Sequence, residues 1–163
     1  MCSSLITAIA TLAILGAATL SARAEDRSPV IDVRTGDPEM NAAIAQGRAT
    51  LPKFWASYDA PKTSETGHSL KVRFPYGSNS GEHIWMAEVK KIGDNSYSGR
   101  FANAPRHLPG KRAGDLVEFR EADISDWMYL RNSKIVGGET IKPMLKLMTK
   151  ADADALRARM ESP

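Results

Sequence analysis

The chain has 163 residues, with 22 basic and 19 acidic side chains, a formal charge of +3 at neutral pH and a single cysteine. One cysteine excludes an intramolecular disulfide framework and thiolate metal sites, so packing must hold the fold. The charges are interspersed, and their small excess predicts neither nucleic acid nor anionic lipid as a partner.

Leu5 to Leu20 form an uncharged apolar run, followed by Ser21-Ala22-Arg23-Ala24 and the acidic pair Glu25-Asp26. Small side chains at Ala22 and Ala24 fit the A-x-A cleavage pattern, which predicts a signal peptide over residues 1–24. No Lys or Arg precedes the run, so only the terminal amine supplies positive charge there. The competing reading is an uncleaved anchor. About twenty residues span a bilayer, and Cys2 to Ala22 reaches that length, but its Thr, Ser and Gly content makes a poor span. Cys2 lies ahead of the apolar run and not at the cleavage point, which disfavours a lipid anchor and removes the cysteine with the signal. The expectation is a periplasmic or secreted mature domain without a membrane span. Its length still allows a core sufficient for independent stability.

Residues 25–36 read as a flexible leader and 37–163 as one globular domain. Asp37-Pro38-Glu39 supplies a capping carboxylate, a proline for the first helical position and an acid in the first turn. Met40, Ala43, Ile44, Gly47, Leu51, Phe54, Trp55 and Tyr58 then recur at helical spacing. Pro52 should divide this stretch into two helices or kink one. Pro61 to Gly67 reads as a loop. The period then changes to alternation, with Leu70, Val72 and Phe74 on one face and Lys71 and Arg73 on a solvated one.

Further strands are predicted at Trp85–Val89, Tyr97–Phe101, Leu116–Phe119, Trp127–Leu130 and Lys134–Val136, joined by Gly-, Asn- and Ser-containing turns. Six short strands with short connections imply an α+β fold: a curved antiparallel sheet or small barrel, flanked by the N-terminal helix and two C-terminal helices. The first C-terminal helix follows Thr140, with Ile141, Leu145 and Met148 on one face. The second is capped by Thr149 in a box with Asp152.

Four stretches, taken in order and spacing, carry a resemblance: Glu82-His83-Ile84-Trp85, Gly114 to Phe119, Ile124-Ser125-Asp126-Trp127-Met128-Tyr129, and Lys134 to Ile141 with its Val136-Gly137-Gly138. Together they are similar to the bacterial YegJ-like family, domain of unknown function 2314, over about residues 50–148. The resemblance implies a compact domain, often secreted or lipid-anchored, and brings no activity and no catalytic residues.

Asp126, Trp127 and Tyr129, with Trp85 and His83, could line a pocket in which aromatic faces give contact area and the polar groups orient a ligand. The competing reading puts Trp127 and Tyr129 in the core and has Asp126 tie down a turn. Gly137 and Gly138 could present amides to an anion or simply allow unusual backbone angles. The basic loop Arg106 to Arg112 reads as solvated surface. His68, His83 and His107 are too scattered for a metal motif, and neither a phosphate-binding loop nor a dinucleotide fingerprint is present, so no metal or cofactor is expected.

These residues suggest a non-enzymatic module binding an unidentified envelope protein or small ligand through Trp85, Asp126, Trp127 and Tyr129. The alternatives are an envelope hydrolase built from Ser125, His83 and Asp126, though without a G-x-S-x-G turn, or an inhibitory, immunity-type partner. Catalysis requires the polar groups to converge within hydrogen-bond reach in a cleft, whereas binding requires an exposed aromatic patch.

Overall fold

A computed structural model describes residues 36–161 apart from Asn79. The expected signal peptide, and all but the last residue of the expected leader, lie outside the described residues.

Helix α1 spans Pro38–Asp59. The Asp37 carboxylate accepts the Met40 amide at 2.8 Å, satisfying one of the donors that a helix start leaves free. Gly47, Leu51, Phe54 and Ser57 form its buried stripe. The helix is not split at Pro52. That proline is exposed, so water can serve the carbonyl one turn earlier, and burial of Leu51 and Phe54 on the opposite side holds the segment helical.

The six expected strands are all present: β1 Glu65–Tyr76, β2 Ser80–Gly93, β3 Ser96–Phe101, β4 Leu116–Arg120, β5 Ile124–Arg131 and β6 Lys134–Gly137. β1 starts inside the segment expected to be a loop, because Glu65 and Thr66 pair with Arg131 and Leu130 of β5. Every neighbouring pair is antiparallel, in the order β4-β3-β2-β1-β5-β6. The sheet is open, with β4 and β6 at its edges. Chain returning along β6 keeps that edge occupied: Ile135 bridges Met160 in parallel, and its carbonyl accepts the Glu161 amide at 2.8 Å. Asn132 and Ser133 both adopt positive φ, which gives the β5–β6 hairpin the backbone twist a two-residue turn needs.

Helix α1 packs on one side of this sheet. Leu51 and Phe54 meet Leu70, Val72, Ile84, Met86, Trp127 and Tyr129 there, with the Phe54 ring tilted against Trp127 and Trp127 stacked on Tyr129. Burying a large apolar side chain contributes about 1.5–3 kcal/mol each, so this face supplies most of the driving force. The helix expected after Thr140 is short: α2 covers Ile141–Met144 and tightens into a 3-10 turn over Leu145–Leu147. Met148 is extended, and α3 begins afresh at Lys150–Arg159. Thr149 caps it, accepting the Asp152 amide at 3.2 Å while its hydroxyl donates to the Asp152 carboxylate at 2.7 Å. Among the described residues no helix is long and apolar enough to cross a membrane.

Candidate functional site

Side chains paired across antiparallel strands share a face of the sheet, and the register divides the sequence-predicted residues into two groups. Leu70 pairs with Met86 on one side and Trp127 on the other, whereas Lys71 pairs with Trp85 and Asp126. Trp127 and Tyr129 therefore belong to the α1 side, each only 3% exposed, while Trp85 and Asp126 belong to the opposite side. The four do not form one surface. Trp127 is core, with its indole N–H donating at 3.1 Å to both the Gly47 carbonyl and the Thr50 hydroxyl. The Tyr129 hydroxyl accepts a guanidinium N–H of Arg131 at 2.6 Å.

Asp126 is fully buried and saturated. One oxygen accepts the Trp127 amide at 2.8 Å and the Glu139 amide at 3.2 Å. The other accepts the Thr140 amide and the Thr140 hydroxyl, each at 2.7 Å. The Lys71 ammonium donates to the same Thr140 hydroxyl oxygen at 3.0 Å, so Lys71 is buried and not on the solvated face that alternation predicts. Burial pushes the Asp126 carboxyl up and the Lys71 ammonium down, while their mutual attraction and the donated bonds oppose both.

Gly137 and Gly138 serve this clamp. Both have positive φ, and a Cβ at Gly137 would stand 2.5 Å from the Trp127 carbonyl oxygen and 2.7 Å from its ring. The following amides close on the protein's own carboxylate, Asp126, so amides that could have taken an anion at this junction are already used. Gly47 permits the approach from α1: a Cβ there would lie 2.9 Å from the Asp126 carboxylate and 3.0 Å from the Ser125 carbonyl.

His83 and Ser125 do meet. A shift in register between Lys71 and Val72 leaves Ser125 as an extra, bulged residue of β5. His83 reaches across β1 to it, with Nδ1 2.8 Å from the hydroxyl oxygen. Ser125 is fully buried and donates its hydroxyl proton to the Lys71 carbonyl at 3.1 Å, so the Nδ1 proton points toward the serine. Burial, then the charges of Lys71, Arg73 and Arg48, lower His83 to about 4, leaving it neutral at physiological pH. Asp126 forms no hydrogen bond with His83. A serine hydrolase needs the reverse arrangement: an accessible serine giving its proton to a histidine that a carboxylate orients. The three residues are neighbours here without forming that relay.

A second polar network escaped the sequence reading. The Ser57 hydroxyl donates to Glu65 at 2.8 Å and lies 2.8 Å from Nε2 of His68. Arg131 bonds the other Glu65 oxygen at 3.0 Å, and the His68 ring stacks on Tyr129. Hydrogen bonds from Ser57, the Lys62 amide and Arg131 hold Glu65 below its ordinary range, and burial lowers His68. Glu65 and His68, at positions i and i+3 of one strand, carry no recognisable spacing, so only the fold discloses the pairing.

Two shallow, open hollows of about 280 Å³ and 320 Å³ involve other residues: Glu39, Ala43, Glu139, Lys142, Pro143 and Lys146 line the first, and Ser96 with residues of β4 and the turn after it the second. Among the described residues no group of three or more His, Cys, Asp or Glu is placed to hold a metal. The side of the sheet away from α1 remains, where half-buried Trp85 and Ala87 adjoin exposed Arg100 and Leu116.

Comparison with known proteins agrees with the motifs that this geometry explains. The chain is 38% identical over 79 residues to an uncharacterized protein, YegJ, of Escherichia coli K12, covering 48% of this chain and 51% of that one. It is 27% identical over 132 residues to a putative ankyrin repeat protein of Neisseria meningitidis serogroup B, covering 77% and 52%. It thus spans about half the length of these curated relatives. No solved structure matches. Residues 37–160 match the family model described as an uncharacterized protein conserved in bacteria, DUF2314, and the chain belongs to that family.

Proposed function

We propose that this chain is an exported, non-enzymatic binding module that holds its partner on the open side of the sheet, with Trp85 as the central contact. The observation that supports this reading is the state of Trp85. It is half-buried on a strand whose other face is core, and its ring has the Lys71 ammonium 5.5 Å from its centre. An indole so placed offers a rigid, amphipathic contact of the kind that dominates binding energies. The serine, histidine and aspartate of the hydrolase alternative are committed to bonds inside the domain, and the shallow hollows favour a protein segment over an enclosed small ligand.

The test uses the full chain with a C-terminal tag, recovered from the cell envelope. Mass spectrometry should find a mature N-terminus at Glu25. A specific partner should copurify with the wild type and with Leu147→Ala, an exposed apolar residue elsewhere (61% exposed). Trp85→Ala, still folded, should lose it. Equal capture by Trp85→Ala, or an intact N-terminus on protein left in the cytoplasm, would refute the corresponding half of the proposal.

A further inference from the structure

Beside Trp85 the open side of the sheet carries an unusual grouping of charge. Arg73 pairs directly across from His83, and Lys71 lies one same-face step along β1 toward Trp85. Helix α1 packs on the other side of the sheet but sends Arg48 to the start of β5, its Nε donating to the Ile124 carbonyl at 2.8 Å and its Nη2 to the Ala122 carbonyl at 3.1 Å. These carbonyls sit beside the bulged Ser125 that His83 contacts. Arg73 is likewise held in place, donating to the Ser80 carbonyl at 3.2 Å and lying flat over Gly81, where a Cβ would be 2.5 Å from its Nε.

Each guanidinium is thus fixed by backbone acceptors and keeps N–H groups free, since five are available and one or two are used. Among the described residues neither arginine forms an ion pair. The neighbouring carboxylates are spoken for: Asp126 by Thr140, Glu82 by the Arg106 and His107 amides, and Asp123 by the Arg120 amide. His83 uses Nδ1 toward Ser125, and its Nε2 has no hydrogen-bond partner among the described residues.

We propose that this corner is an oxyanion site that takes a phosphate-type group, held by the free guanidinium N–H groups of Arg48 and Arg73 and by Nε2 of His83. Donors supplied by three neighbouring elements, α1, β1 and β2, suit a tetrahedral anion with several acceptor oxygens, whereas a carboxylate is satisfied by a single arginine fork. Preformed donors bind without the cost of ordering long side chains. Burial and then the neighbouring cations keep His83 neutral, and a bound anion offsets the cations, so the imidazole takes up a proton as the anion arrives. The inference rests on the open side of the sheet being a binding surface, and names what it recognises there.

The experiment is a titration of the intact protein with inorganic phosphate near pH 5, read at the His83 ring by NMR, with chloride at matched ionic strength as reference. Phosphate should give a saturable shift and raise the apparent pKa of His83 by about one unit or more, equivalent to about tenfold tighter binding to the protonated ring. Arg73→Gln and Arg48→Gln, each checked for native near-ultraviolet dichroism, should each weaken binding about tenfold. A His83 response identical in phosphate and chloride would overturn the site, as would unchanged affinity in both folded arginine variants. Equal affinity for acetate would overturn the phosphate assignment. The titration needs no protein partner, so its failure and a failure to capture one through Trp85 are separate results.

Discussion

Asp126 organises more of this domain than any other polar side chain. It accepts four hydrogen bonds, one from the next residue of β5 and three from Glu139 and Thr140 at the start of α2. Asp126→Ala would leave three backbone amides, the Thr140 hydroxyl and the Lys71 ammonium without their carboxylate. Removing one partner of a buried, charged network costs about 3–5 kcal/mol, and urea denaturation should show a loss of that order. A loss below about 1 kcal/mol would mean that water takes over the clamp, contrary to this account. The competing sequence reading of Asp126, a residue that ties down a turn through amides, describes its role well. Lys71 and Thr140 were not legible. A lysine alternating with Leu70 and Val72 reads as solvent-facing, and only the return of the chain through Gly137 and Gly138 buries it.

At the scale of the element, α1 contains two poor helix formers that the structure treats in opposite ways. Pro52 is exposed and lacks an amide in mid-helix. Pro52→Ala restores one hydrogen bond and removes the ring clash, a gain partly offset by a freer unfolded chain, and should stabilise by about 1–2 kcal/mol. Gly47→Ala would gain about 1 kcal/mol in an exposed helix. Here its Cβ meets the Asp126 Oδ1, which two amides hold in place, and the Ser125 carbonyl. Overpacking of that kind costs about 1–3 kcal/mol, so net destabilisation is expected. Thermal melts of the two variants should therefore move in opposite directions, and a stabilising Gly47→Ala would show that α1 can shift away from β5. Helical spacing disclosed α1, and alternation disclosed all six strands. It left open whether Pro52 divides the helix or leaves it as one, which depends on which side of the helix faces water. Nor could it distinguish an open sheet from a barrel, because that depends on Met160 and Glu161 meeting β6 at the far end of the chain.

For the molecule as a whole, two half-buried histidines, His83 among cations and His68 beside Glu65, make stability depend on pH in a definite direction. His83 falls to about 4 in the folded chain from an ordinary value of 6.5, and His68 is lowered by burial. A histidine with a depressed folded pKa favours the fold above its unfolded value, and that contribution is lost as pH falls through the folded one. Glu65, also lowered, acts with the same sign at more acid pH, whereas the raised Asp126 opposes it. Between about pH 6.5 and 4 His83 dominates. The full shift would be worth about 3.4 kcal/mol, and partial exposure of the ring screens this to about 1–2 kcal/mol. Urea midpoints measured from pH 7 to pH 4 should fall accordingly, and the slope should flatten in His83→Gln, which keeps an amide donor for Ser125. An unchanged slope in that variant would place the acid sensitivity elsewhere. Phosphate should also reduce the wild-type slope, because an anion beside Arg48 and Arg73 lets His83 take its proton inside the fold.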